Sequence, residues 1–223
     1  MTASQHGNLW RASSKEAISA GPLDRALSVD LAVIGGGFSG SAAALQAARS
    51  GASVALLEAR TIGHGGSGRN VGLANAGLWL KPDEILAELG EDAGRALIAR
   101  LGAAPDLVYG IIEREEISCE AARNGTLHCA HAPSGMDDLR ARFRQGNAHG
   151  APLQLLDAAE AQERVGSASV HGALFDPRAG TVQPLAYCRG LARAATRAGA
   201  RIFEDSPVTN ITRAGGPDRP TDS

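Results

Sequence analysis

From Asp30 onward the chain alternates short apolar runs with longer periodic ones. Asp30-Leu31-Ala32-Val33-Ile34 is apolar without polar alternation, the pattern of a central parallel strand covered on both faces. Ser39 to Ser50 is rich in Ala, Leu and Gln, good helix formers, and Gly51 stands where a helix C-terminus favours a left-handed residue. Ser53 to Glu58 is a second buried strand. Strand, turn, helix and strand thus succeed one another within about thirty residues, the size of one βαβ unit. Ahead of it, residues 1–29 read as an arm that carries Trp10 and turns at Gly21-Pro22.

Beyond a glycine-rich loop the pattern becomes helical from Pro82 to Glu115, with breaks near Gly90 and around Gly102 to Pro105. Ile117 to Glu120 and Thr126 to His131 read as strands joined through Arg123-Asn124-Gly125, and Asn-Gly is a hairpin signal. Ser134 to Ala148 is an Arg-bearing helix, Leu153 to Leu156 a short strand, and Asp157 to Val165 a helix with Asp157 as N-cap. Val170 to Asp176 and Thr181-Val182 return to strand. Gln183-Pro184 starts a long amphipathic helix to Ala198, Gly199 ends it, and Arg201 to Glu204 and Val208 to Thr212 are further strands. Gly215 to Ser223 is polar, contains two prolines and reads as an unstructured tail. No internal repeat is visible.

Composition narrows the function. A formal net charge of -2 gives no basic surplus for nucleic acid, and aromatics at 4% offer little base stacking. No apolar run reaches the length of a signal peptide core or a membrane span. The three cysteines, Cys119, Cys129 and Cys188, include no C-x-x-C pair, so a reduced, cytoplasmic protein is expected. His128, Cys129 and His131 cluster, but on a strand His128 faces away from the other two, which argues against a metal site. Arg123, Arg140, Arg142 and Arg144 are offset by Glu120, Asp137 and Asp138 and read as an ordinary charged surface.

The chemistry sits in the glycines. Gly35-Gly36-Gly37-Phe38-Ser39-Gly40 satisfies G-x-G-x-x-G: Gly35 for the tight turn, Gly37 to admit a pyrophosphate to the backbone, Gly40 to let helix pack on strand. The helix N-terminus, at Phe38 and Ser39, then presents unpaired N–H groups to a dianion. Glu58 ends the second strand near the expected interval of about 20 residues, where a carboxylate accepts hydrogen bonds from adenosine ribose hydroxyls and repels a 2'-phosphate. Ala59 and Arg60, next in the chain, are counted with it as cofactor contacts.

A second glycine segment, Gly63-His64-Gly65-Gly66-Ser67-Gly68-Arg69-Asn70-Val71-Gly72, follows directly. With it, Asp30 through Gly77 resembles the FAD-binding region of the D-amino-acid oxidase superfamily, which includes glycine and sarcosine oxidases. Ser67-Gly68-Arg69-Asn70-x-Gly72 is most like the gamma-glutamylputrescine oxidase-like branch, which Trp10 also fits. The resemblance implies FAD as cofactor, with Ser67, Arg69, Asn70 and Gly72 along the pyrophosphate and ribityl chain. Arg69 would supply fixed positive charge. Farther on, Asp176-Pro177-Arg178-Ala179-Gly180-Thr181-Val182-Gln183-Pro184 and Gly199 to Val208 resemble the family's return to its FAD domain, which would set Val208 against the adenine.

The implied architecture is α/β: a discontinuous Rossmann-like FAD-binding domain (30–81 and 181–214), an inserted, incomplete α+β substrate domain (82–180) and a polar tail (215–223). The implied activity is oxidation of the C–N bond of a small amine or amino acid to an imine, with dioxygen or another electron acceptor. Family members continue with more substrate-domain sheet and a closing FAD-contacting glycine motif that are not matched here. The resemblance therefore covers an N-terminal portion, implies half a substrate pocket, names no catalytic residue, and predicts a truncated chain that binds FAD poorly alone. An NAD-binding dehydrogenase and a non-catalytic nucleotide-binding remnant stay open as alternatives.

Overall fold

The computed structural model describes residues 8–213; the polar tail lies outside the described residues. In chain order the elements are α1 (Leu9–Ser13), β1 (Leu31–Ile34), α2 (Phe38–Arg49), β2 (Val54–Leu57), β3 (Leu73–Ala74), α3 (Pro82–Leu89), α4 (Glu91–Gly102), α5 (Ala104–Arg114), β4 (Thr126–Cys129), α6 (Gly135–Ala148), β5 (Gln154–Leu156), α7 (Ala158–Val165), β6 (Ala173–Asp176), β7 (Gly180–Thr181), α8 (Pro184–Arg197) and β8 (Arg201–Phe203).

The first sheet is parallel, in the order β1-β2-β8, with Ala32 opposite Ala55 and Leu56 opposite Ile202. Its core lies where α2 and α8 pack: Ala44, Leu45 and Ala48 of α2 meet Leu191, Ala192 and Ala195 of α8 in one buried cluster with Val54 and Leu56. Small residues on both helices let their axes approach closely, and because each helix runs against the parallel strands, the N-termini of α2 and α8 lie at the same end of the sheet. α8 starts as its sequence predicts, with Pro184 in the first turn and the Gln183 side chain accepting from Ala186 N–H at 2.7 Å. β1 departs from its expectation. It is an edge strand here, with Leu31 39% and Ile34 55% exposed, because no strand among the described residues pairs with its outer side.

The second sheet is antiparallel, β4-β6-β5. Alternation along β6 sends Leu174 toward α6, with Met136 and Leu139, and Ala173 toward α7, with Ala161 and Leu156. Asp157 caps α7 as predicted, accepting from Glu160 N–H at 2.9 Å while the Glu160 carboxylate accepts from Asp157 N–H. β3 and β7 form a separate two-stranded antiparallel pair, Leu73 opposite Thr181.

Two further expectations are corrected. β4 does not form a hairpin with Ile117 to Glu120; it pairs with β6, Leu127 opposite Phe175. Glu116 and Glu120 have φ of 53° and 50°, left-handed values that break an extended run at both ends. Gly125 serves no hairpin here; its φ of 80° and the Phe175 ring, into which a Cβ would run, both require glycine. Val208 to Thr212 is not a strand. The chain makes its last backbone contacts with the first sheet at Asp205 and Ser206, whose N–H groups donate to the Arg60 and Glu58 carbonyls at 2.9 Å. Past that point Val, Ile and Thr have no ladder to join among the described residues, and strand propensity without a partner forms nothing.

Candidate functional site

The two glycine segments meet at the end of the parallel sheet. Gly35 leaves β1 with φ of 97° and donates to the Leu57 carbonyl at 2.8 Å. Gly40 lies against that turn so closely that a Cβ would meet the Gly35 carbonyl oxygen. Gly37 is the N-cap of α2 and offers no side chain to the first turn. Among the described residues the cap comes from the other segment: Ser67 Oγ accepts from Phe38 N–H at 3.0 Å. The remaining first-turn N–H groups and the positive end of the helix dipole form an anion cradle of backbone alone, suited to a pyrophosphate. The Phe38 ring itself turns inward, 5.5 Å from Tyr187, and its N–H joins the cradle to Ser67. Ser39 is exposed at the same turn.

Glu58 follows β2 and braces the cradle. One carboxylate oxygen accepts from Gly36 N–H at 2.7 Å and the other from Arg60 N–H at 2.9 Å. Each oxygen keeps lone-pair capacity, and the half-buried carboxylate is placed to accept from hydroxyl donors of a sugar. Below the turn, Gly36 O accepts from Gly63 N–H at 2.9 Å and from the Cys188 thiol at 3.3 Å. Burial pushes that thiol up to about 12, which keeps it a protonated donor.

The second segment makes one turn of 3-10 helix at Gly66–Gly68. Asn70 clips it: its amide donates to the Gly66 and Ser67 carbonyls at 3.1 and 3.0 Å, and its carbonyl oxygen accepts from Gly72 N–H at 2.8 Å. Gly72 is tied to the entrance of α8, its carbonyl accepting from Val182 N–H at 2.8 Å. Arg69 is exposed, with its guanidinium 3.2 Å from His64 Nε2, while Arg11 reaches His64 Nδ1 at 3.1 Å. Burial, and then Arg69, Arg11 and Arg60, depress the His64 pKa, so the ring is neutral at pH 7. A neutral imidazole accepts at one nitrogen, so it satisfies one of these guanidiniums and leaves the other free to meet an anion.

Of the residues picked from the sequence, Gly35, Gly37, Phe38, Gly40, Glu58, the Arg60 backbone and Ser67 are brought together. Asn70 and Gly72 shape the loop, Arg69 lies beside His64, and Ala59 is exposed without a side-chain partner. Val208 is exposed and outside any strand, two residues beyond Ser206, whose N–H donates to the Glu58 carbonyl at 2.9 Å. The arm is the addition. Asn8, Trp10 and Arg11 all reach the second glycine segment, and buried Gln183 holds the arm in turn. No periodicity marks Asn8 or Arg11; Gln183 ahead of Pro184 could have been found as a helix cap.

Away from the cradle, a cavity of about 1010 Å³ opens between α3, α4, α6 and β4, walled by Leu73, Trp79, His128, Arg142, Asp176 and Arg178. Trp79 is 74% exposed, 4.7 Å from the His128 ring and 5.1 Å below the Arg142 guanidinium. Arg142 is also bonded to Asp138 and to the Trp79 carbonyl, both at 2.6 Å, and Arg178 pairs with Asp176 at 2.7 Å. These arginines of the cavity wall therefore already hold internal partners.

Fold and site together define a dinucleotide-binding α/β protein. Residues 30–221 match the DAO family, FAD dependent oxidoreductase, and the chain belongs to that family. It is 34% identical over 197 residues to the probable oxidoreductase OrdL of Haemophilus influenzae, covering 87% of this chain and 46% of that protein. It is 33% identical over 190 residues to the gamma-glutamylputrescine oxidoreductase of Escherichia coli, covering 85% and 44%. Among solved structures, glycine oxidase from Geobacillus kaustophilus superposes with a TM-score of 0.65 at 28% identity, over 79% of this chain and 46% of that one. The chain spans about half the length of the curated relatives it matches. Among the described residues no helix is long and apolar enough to cross a membrane.

Proposed function

We propose that this chain carries the FAD site of an oxidoreductase that converts the C–N bond of a small amine or amino acid to an imine. The observation that carries the reading is the α2 N-terminus: an N-cap without a side chain, capped across space by Ser67 and braced by Glu58. The close approach of Gly37 to Ser67, where a Cβ would sit 2.9 Å from Oγ, is the fit expected of a backbone cradle for a pyrophosphate.

Gly37, Ser39 and Gly40 would hold the pyrophosphate through backbone N–H groups, with Gly35 shaping the turn and Phe38 joined to Ser67 at its edge, and Glu58 would hold the adenosine ribose, with Ala59 and Arg60 beside it. Ser67, Arg69, Asn70 and Gly72 would line the path toward the flavin ring. The backbone at Val208, two residues beyond the Ser206 N–H that donates to the Glu58 carbonyl, would meet the adenine. Bound FAD supplies a two-electron acceptor for the carbon next to the substrate nitrogen. The protein's part is to hold the cofactor, place that carbon and keep the amine neutral. The imine hydrolyses in water, and dioxygen or another acceptor takes the electrons. Residues 30–81 and 181–214 would form the cofactor domain and 82–180 the substrate side, with the cavity at Trp79 and His128 walled by both.

The test is the visible spectrum of the purified chain after incubation with excess FAD and removal of the unbound fraction, followed by a panel of primary and secondary amines and amino acids. Retained flavin bands with turnover of an amine support the reading. Retained flavin with no turnover reduces it to a nucleotide-binding module, and preferential retention of NAD overturns it in favour of a dehydrogenase.

A further inference from the structure

Residues 8–13 precede the family match, which begins at residue 30, yet they are bonded to the loop that the proposed function places beside the flavin. Trp10 joins two elements. Its indole N–H donates to the Asn70 carbonyl at 2.8 Å, and its own backbone carbonyl accepts from Gln183 Nε2 at 2.7 Å. Asn8 adds a bond from its amide to the Gly68 carbonyl at 3.0 Å, while its carbonyl oxygen caps α1 by accepting from Arg11 N–H at 2.8 Å.

These contacts complete a continuous polar path. The Gln183 carbonyl oxygen caps α8, its amide holds the arm, Trp10 holds Asn70, Asn70 clips the turn at Ser67, and Ser67 Oγ caps α2 at Phe38. The N-termini of the two helices that pack together are thus linked through the arm and the second glycine loop. Gln183 is 2% exposed, so the anchoring end of the path is buried and fixed. The loop itself is glycine-rich, with Gly63, Gly65, Gly66, Gly68 and Gly72 between residues 63 and 72, and such a backbone needs outside contacts to keep one conformation. A five-residue helix cannot hold itself by its own hydrogen bonds, so arm and loop order each other.

We propose that Asn8–Ser13 is a strap that sets the second glycine loop in its cofactor-holding conformation, with Trp10 as the positioning residue. This rests on the reading that the loop borders FAD. The strap acts first on the flavin half of the site; it reaches the adenosine half through the loop, by the Ser67 cap on Phe38, while Glu58 braces Gly36 without it.

Trp10→Phe keeps the ring and removes the N–H. Hydrogen exchange of the full chain without cofactor, the thermal midpoint, and titrations with FAD and with AMP separate the possibilities. The expected result is faster exchange centred on residues 63–72, an unchanged melting midpoint, roughly tenfold weaker FAD binding as one lost hydrogen bond would give, and a smaller loss of AMP binding. Asn8→Ala gives the same pattern to a smaller degree and serves if Trp10→Phe fails to fold. Unchanged exchange across residues 63–72 with unchanged FAD affinity overturns the strap. If the wild-type chain binds no FAD, the functional reading falls while the exchange data alone still decide the strap.

Discussion

Ser67 caps a helix that begins twenty-nine residues before it: its hydroxyl accepts the Phe38 N–H at 3.0 Å, a place in the α2 cap that Gly37 cannot fill. Ser67→Ala leaves that donor unpaired. The loss of an N-cap costs about 1 kcal/mol, so a modest drop in thermal midpoint is expected. Because the same hydroxyl borders the cradle, FAD affinity should fall by roughly tenfold, read by quenching of flavin fluorescence. An unchanged affinity would remove Ser67 from the site.

Gly40→Ala tests the packing of the first turn. The added Cβ would meet the Gly35 carbonyl oxygen, which is backbone and cannot rotate away. A destabilisation of about 1–3 kcal/mol is expected, with loss of adenine-nucleotide binding, because the turn must open to make room. Urea denaturation measures the first effect and AMP titration the second.

The βαβ unit is legible in the sequence because few residue types satisfy its geometry: a buried parallel strand, a glycine with positive φ at residue 35, a close approach at Gly40. Asp157 and Glu160 are equally legible, since a capping box is local chemistry. What escapes is tertiary. α1 is stabilised by contacts at Asn70 and Gln183 that lie 60 and 173 residues from Trp10, and no pattern within the arm announces it. Asn124-Gly125 misleads because a left-handed glycine serves a hairpin or a tight approach equally, and here the Phe175 ring decides. Val208 to Thr212 has strand composition but nothing to pair with. At the site, Glu58 and the glycines are predictable from pyrophosphate and ribose chemistry, whereas the Asn70 clip and the Arg11, His64 and Arg69 cluster depend on how the loop folds back on itself.

Glu16 predicts a pH dependence. It is 7% exposed, receives Arg193 at 2.9 and 3.0 Å and Ser118 N–H at 2.7 Å, and ties the arm beyond α1 to α8. Burial alone would raise its carboxyl, but the hydrogen bonds from Arg193 and Ser118 and the charges of Arg193 and Arg197 outweigh it and hold the pKa below the ordinary 4.5. A carboxyl with a lower pKa folded than unfolded stabilises the fold fully above the unfolded value; that share is lost as pH falls through the folded value. Glu16→Gln should therefore be less stable by about 2 kcal/mol at pH 7 and should lose less than wild type below about pH 4. Denaturation midpoints from pH 3 to 7 check this, and parallel curves would contradict it.

The cysteines predict a labelling order. Cys119 and Cys188 are 1% and 0% exposed, and burial pushes their thiols up to about 11 and about 12, while Cys129 is half-buried on β4. A thiol-specific reagent at pH 8 should modify Cys129 in the native chain and reach the other two only after unfolding, as mass spectrometry would read. Native modification of Cys188 would contradict its place beneath Gly36.

The central claim is that the two glycine segments and Glu58 hold the adenosine and pyrophosphate of FAD, and the direct measurement is a fluorescence titration of the chain with FAD, repeated in the presence of AMP and of NADP⁺. The account predicts saturable FAD binding, weak in the isolated chain, that AMP displaces and NADP⁺ does not, because Glu58 repels a 2'-phosphate. Absence of saturable binding, or displacement by NADP⁺ as effective as that by AMP, would contradict it.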